Sequence, residues 1–359
     1  MKKILAFDSL RFLACIAIML HHIGINIYLY HGLPNPYFGS ADLAVEIFLI
    51  LSGFLLAKHY FSYINVYETP GQNLRNFAWG KIKRLYPEYV VAVFLCLVLT
   101  NLFAHHVSLR PLGLNLMMIG GMGGVPNIIN GVWYVVVVFW GSLLAYSLMT
   151  YKRDFARYVL LPILSFLCLF YLMNHCWSIS GHQQPIEFSL FSRGMIRGFL
   201  GLTVGIYCYQ ICQWIKNLNI RWNPKAVTCA LFCGEVLSII VLFREIILRN
   251  HHSISDFGIY FYGAFIIGLL YFHREKVLKF LSWRIWGHVA YLAYTIYLTH
   301  LILIEILRKH WLGLSYMSPW CSYPIIIILC IVFGWAAYQL QKWIFIGLRK
   351  LFVQESIQQ

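Results

Sequence analysis

FDSLRFLACIAIMLHH, residues 7–22, has the composition of a membrane-spanning helix, yet it carries Asp8, Arg11, His21 and His22. Ionisable side chains at bilayer depth are costly, and they persist where they have a partner, a water path or a chemical task. How the chain handles these four residues decides both the kind of protein and the place to look for its chemistry.

The surroundings are those of a membrane protein. Hydrophobic residues make up 60% of the 359-residue chain and charged residues 11%, and the mean hydropathy is +0.69. Soluble domains devote roughly a quarter of their residues to charge. Apolar runs of about the 20 residues that a bilayer requires recur from end to end. They predict helices at 8–29, 40–57, 89–104, 132–149, 159–174, 194–211, 227–247, 257–272, 287–307 and 323–346. The expected fold is an all-α polytopic integral membrane protein of about ten transmembrane helices, with residues 1–359 as a single domain. The third and fifth runs look short, and the seventh includes Glu235, Arg244 and Glu245. The basic start resembles a secretory leader, but Asp8 and Arg11 interrupt its apolar region and no small-residue cleavage site follows. It reads as an uncleaved first span.

Loop charges orient these spans. With the N-terminus inside, the inner segments hold Lys2, Lys3, Lys58, Arg75, Lys81, Lys83, Arg84, Lys152, Arg153, Lys216, Arg274, Lys276 and Arg349, among others. Arg110, Arg193, Arg249, Arg308 and Lys309 fall at the outer ends. This bias follows the positive-inside rule and puts both termini in the cytoplasm. Residues 58–88 read as a long basic inner loop, 347–359 as a short cytoplasmic tail, and 105–131 and 175–193 as polar outer loops that could shape a substrate mouth. The net charge of +15 is thereby accounted for without nucleic acid. The ten cysteines lie mostly in apolar runs and include no C-x-x-C pair, so neither a disulfide framework nor a metal site is indicated.

Several polar constellations stand out. Arg11 and His22 return to nearly the same helix face about 16 Å apart along the axis, whereas His21 is turned roughly 100° away. Asp8, three residues before Arg11, is placed to pair with it. Asp42 and Glu46 lie one turn apart in the second run, ahead of Ser52, and read as a polar vestibule or as charge partners for Arg11 and His22. In KIKRLYPEY, residues 81–89, Lys81, Lys83 and Arg84 form either an interfacial anchor or a phosphate clamp. Pro87 fits the first turn of the span that follows. Near the C-terminus, Tyr294, Tyr297 and His300 recur at three-residue spacing on one helix face.

Together these stretches resemble the membrane-bound acyltransferase family often called acyltransferase 3. Its opening helix has an Arg followed, after ten intervening residues, by an essential His, and Arg11 and His22 match that spacing. VEIFLILSGFLLA resembles the second family helix through Glu46, Phe48, Ser52, Gly53 and Phe54, with Ile47 in place of an aromatic residue. KIKRLYPEY resembles its Arg-Leu-x-Pro entry, and YLAYTIYLTH its late Ser-Tyr-x-x-Tyr-Leu-x-His helix, with Ala293 in place of Ser. GVWYVVVVFWGSLL keeps Trp133 but lacks the acidic pair that many members carry in a middle helix.

The resemblance implies an enzyme of the inner membrane that moves an acyl group, usually acetyl, from cytoplasmic acyl-CoA to a hydroxyl of a surface polysaccharide or its lipid-linked precursor. Acyl-CoA would be a co-substrate, with no permanently bound cofactor. Lys81, Lys83 and Arg84 would hold the CoA phosphates, Arg11 would orient the donor, and His22 would act as base or carry the acyl group. Asp8, Asp42, Glu46, Ser52, Tyr297 and His300 would support them. Some relatives add an extracytoplasmic hydrolase-like domain, for which too few residues follow 346, so the membrane part is expected to complete transfer alone. Setting the motifs aside, ten spans with buried charges would also suit a carrier or flippase for a lipid or sugar.

Overall fold

A computed structural model describes residues 4–33, 37–122, 124–179, 192–218, 224–311 and 313–355. Every element in them is helical. The long helices are α1 (Leu5–Ile23), α2 (Ala44–Tyr63), α3 (Pro70–Phe103), α4 (Trp133–Tyr151), α5 (Leu161–His175), α6 (Arg193–Asn217), α7 (Pro224–Phe243), α8 (Gly258–Phe272), α9 (Ala293–His310) and α10 (Pro319–Glu355). Among the described residues nine helical stretches, all but α2 of this series, meet the length and hydropathy of a membrane span. The 20-residue α2 runs among them at the centre of the bundle, buried on almost every side. This is a multi-pass membrane fold.

The closest helix pair is α2 with α6. They run parallel, because Glu46 meets Arg197 near their starts and Phe61 stacks on Tyr209 near their ends. Glycine makes the approach feasible. A Cβ at Gly53 would lie 1.9 Å from the carbonyl oxygen of Leu202, and one at Gly205 the same distance from that of Ile50. Small residues that let backbones touch are the usual means of association where lipid removes the hydrophobic drive. By contrast, α5 and α7 sit at the rim, and most of their apolar surface faces outward.

One expectation is corrected. The segment read as a basic inner loop, 58–88, is mostly helix: α2 continues to Tyr63 and α3 begins at Pro70. Thr69 and Gln72 exchange hydrogen bonds in a capping box, and Pro70 opens the first turn, where its missing N–H costs nothing. The third span therefore belongs to a 34-residue helix with Pro87 in its interior. Ahead of α9, residues 277–292 form three short 3-10 turns, and the span read at 287–307 is met by a candidate membrane span at Ala290–His310. Glu235 of α7 accepts the backbone N–H groups of Lys276 and Leu278 at 2.8 and 2.9 Å, which explains a carboxylate buried in an apolar helix. The turns then pack on α1, with the Ser9 hydroxyl donating to the Leu281 carbonyl at 2.8 Å and Phe12 against Trp286. The backbone of α10 also stays helical to Glu355, through much of the expected tail. Residues 180–191, within the segment read as an outer loop at 175–193, lie outside the described residues.

Candidate active site

The charged positions of α1 divide between the two ends of the bundle. Arg11 is paired with Asp8 at 3.3 Å, as the three-residue spacing predicts. It also feels the charges of Arg84 and Lys81, which gather at the same end from α3. The Lys81 ammonium donates to Ser142 of α4 at 3.3 Å. Lys83 goes elsewhere: its ammonium lies 5.4 Å from the Trp79 ring centroid, on an exposed part of the helix. The structure thus groups Arg11, Lys81 and Arg84 but leaves Lys83 apart. Nearby, Glu88 accepts a 2.6 Å hydrogen bond from Thr295, and the Tyr294 hydroxyl donates to the Leu85 carbonyl, tying α3 to α9.

His22 lies towards the other end. It lines a cavity of about 260 Å3 together with His21, Asp42, Gly131, Trp133, Arg197, Tyr297 and Glu305. His21 also reaches this cavity, its ring edge-on to His22 at 5.2 Å, but its Nδ1 is engaged with the Phe38 carbonyl at 3.3 Å. From α9, His300 places its ring centroid 5.3 Å from that of His22. Tyr297 lies between α9 and α4: its hydroxyl donates to the Gly131 carbonyl at 2.6 Å, and its ring meets those of Tyr134 and His300. Gly131 has φ +84°, a left-handed conformation that a side chain would strain. Ser52 shares a 3.2 Å hydrogen bond with Tyr134 in the interior between the Arg11 and His22 ends.

The acids of α2 serve a partner that the sequence reading passed over. Arg197, 1% exposed, grips both carboxylate oxygens of Glu46, one of them at 2.7 Å, and lies 3.7 Å from the Asp42 carboxylate. It also donates to the Asp42 and Ile179 carbonyls and sits 5.2 Å from the Trp133 ring centroid. Asp42 and Glu46 are therefore the anchors of Arg197, not of Arg11. An arginine inside an apolar helix was the available signal, since the run RGMIRGFLGLTVG carries it four residues past the helix start.

Asp42 leads outward to a second group. His252 bridges the carboxylates of Asp42 at 3.2 Å and Asp256 at 2.9 Å. Burial works against its protonation, but the hydrogen bonds to Asp256 and Asp42 outweigh it and push the imidazole up to about 9. Arg249 closes the group by binding Asp256 at 3.0 Å, Glu245 and Ser253. The connecting backbones are clasped here as well: Ser40 donates to the Arg249 carbonyl, and the Gly39 N–H to the Asn250 side chain. These contacts fix the cavity wall behind Asp42.

A polar interior is thus held with a guanidinium and two further cations at one end and imidazoles facing a cavity at the other. Such a site can bind an anionic group at the first end and move a proton at the second. Neither the curated proteins nor the solved structures contain a match to this chain. Residues 4–339 do match a family described as "Acyltransferase domain", and the chain belongs to that family, acyltransferase 3.

Proposed function

We propose that the chain is an O-acyltransferase of the inner membrane. It takes an acyl group, acetyl in the first instance, from acyl-CoA arriving at the basic, cytoplasmic end. It passes this group to a hydroxyl of a surface polysaccharide or of its lipid-linked precursor. The observation that carries the reading is the division of labour along α1, with Arg11 among cations at one end and His22 on a cavity at the other.

Lys81 and Arg84 attract the phosphates of the donor, for which Arg and Lys supply charge-assisted hydrogen bonds. Arg11, steadied by Asp8, orients the donor below the thioester. The acceptor hydroxyl enters the cavity, and His22 takes its proton as the oxygen attacks the thioester carbonyl. The carbon–sulfur bond then breaks, and the departing thiolate takes the proton back from the imidazolium. Products are the ester and free CoA thiol, so protons balance without a further reactant. A base positioned in this way contributes about 10²–10⁴-fold.

The test uses purified protein, acetyl-CoA and alkali-treated surface polysaccharide, with release of free thiol as readout. Release that depends on polysaccharide, with acetyl ester appearing on the glycan by mass spectrometry, is expected. Polysaccharide or lipid movement across liposomes without thioester consumption would instead identify a carrier.

A further inference from the structure

Four cations gather on a group of rings where α2, α6 and α8 end. The Arg153 and Arg157 guanidiniums, in the turns leading into α5, lie 5.4 and 5.5 Å from the Phe61 ring centroid. The Lys58 and Lys216 ammoniums lie 5.5 and 4.3 Å from that of Tyr271, and Tyr209 joins the two rings. Among the described residues no carboxylate forms an ion pair with any of them, neighbouring Asp154 included. Like charges gathered in this way repel, and contacts with ring faces offset only part of the cost. The other polar groups here are donors too. Gln210 of α6, 8% exposed, spends its amide oxygen on the Arg157 Nε–H, and its Nε2 is buried with no hydrogen-bond partner among the described residues. The Tyr271 hydroxyl accepts from Gln213 and Lys216 at 2.9 Å each, which leaves its own proton to donate. Buried polar atoms are nearly always paired. Water could take the Gln210 hydrogen, but an anion answers the donors and the charges together.

We propose that this group binds a phosphate monoester, and that in the donor it holds the 3′-phosphate on the ribose of CoA. The inference rests on the reading of acyl-CoA as the donor. Position supports it. From Phe61 a run of ring contacts passes through Tyr60 and Tyr146 to Phe77, from whose ring centroid the Lys81 ammonium lies 5.5 Å. The two cation groups therefore flank one aromatic wall. CoA carries phosphate at two places, a diphosphate in its chain and a monoester on its ribose. With the diphosphate at Lys81 and Arg84, the monoester is left for Arg153 and Arg157. Guanidiniums suit it, because their planar forks meet phosphate oxygens in pairs. No bond is made or broken there. The group contributes affinity, and it separates CoA from nucleotides that lack the 3′-phosphate.

The test measures equilibrium binding to the full chain in phosphatidylcholine nanodiscs, with no acceptor present. The ligands are acetyl-CoA and acetyl-dephospho-CoA, which lacks only the 3′-phosphate. Wild type is expected to bind acetyl-CoA about 10- to 100-fold more tightly, the worth of one or two charge-assisted contacts. Arg153→Gln with Arg157→Gln should remove that preference and leave the dephospho affinity within about twofold. Arg153→Gln alone, at an exposed position, should remove part of it without disturbing Gln210. Equal binding of the two ligands by wild type, or an equal loss of both in the double variant, would overturn the assignment. A second pair, adenosine 3′,5′-bisphosphate and adenosine 5′-monophosphate, probes the site without a thioester. An arginine-dependent preference for the bisphosphate, with no binding of acetyl-CoA, would count against the donor reading alone. Phosphatidylglycerol retained by wild type and lost from the double variant, with both nucleotide preferences unchanged, would assign the cations to lipid headgroups and overturn the proposal.

Discussion

Arg197 of α6 and Glu46 of α2 form a bidentate ion pair inside the bundle, with the two side chains 1% and 0% exposed. Neither charge can be removed alone without stranding the other. Glu46→Gln is expected to destabilise the protein by about 3–5 kcal/mol, the usual cost of an orphaned buried charge. Replacing both, as Glu46→Gln with Arg197→Met, should recover much of that loss. Thermal unfolding in detergent, arranged as a double-mutant cycle, measures both values. Additive losses would show that the pair is not coupled.

The histidine pair of α1 separates chemistry from bracing. His22→Ala should lower acceptor-dependent release of CoA by about 10²–10⁴-fold while the bundle assembles normally. His21→Ala should be milder, since its Nδ1 is spent on the Phe38 carbonyl. Arg11→Lys should fail despite its charge, because an ammonium lacks the planar fork of a guanidinium. Turnover at matched protein concentration decides. A severe defect in His21→Ala with normal turnover in His22→Ala would reverse the assignment.

At the basic end, the arrangement of cations distinguishes residues that the sequence treated as equal. Lys81→Gln and Arg84→Gln should each raise the KM for acyl-CoA by about tenfold, as expected for one lost phosphate contact. Lys83→Gln should change it little, because that ammonium lies over Trp79 on an exposed part of the helix. Donor titrations at saturating acceptor give the three values. A Lys83 effect as large as the others would place the donor on the opposite side of α3.

His252 makes stability depend on pH. Its folded value is raised from 6.5 to about 9, so protonation favours the folded state. That contribution is complete below about pH 6.5 and is lost as pH rises through about 9. The thermal midpoint should therefore fall over this interval, and His252→Gln should flatten the fall. An identical pH dependence in wild type and variant would remove His252 as its source.

Parts of this architecture could be read directly from the chain. Arg11 and His22 were legible because an eleven-residue interval on a helix sets both their common face and their axial separation. Asp8 beside Arg11 followed from the same geometry. The partner of Glu46 was not legible: pairing across 151 residues depends on which helices touch. The helical run from Pro70 was concealed by Gly71, Gly80 and the many basic residues, although the Thr69–Gln72 capping box announces its start. The 3-10 turns at 277–292 have no amphipathic period of their own, and it is Glu235, from another helix, that holds their first backbone groups.

The ion pair of α2 and α6 also sets an order of assembly. A chain made at about 5–20 residues per second needs roughly 8–30 s to pass from Glu46 to Arg197, which lies 151 positions later. During that time the central helix has neither its arginine nor the glycine face of Gly201 and Gly205 against which to close. The element that ends up most deeply buried is therefore among the first synthesised and among the last to be secured. Helices 3 to 5 must be laid down around an unfinished centre.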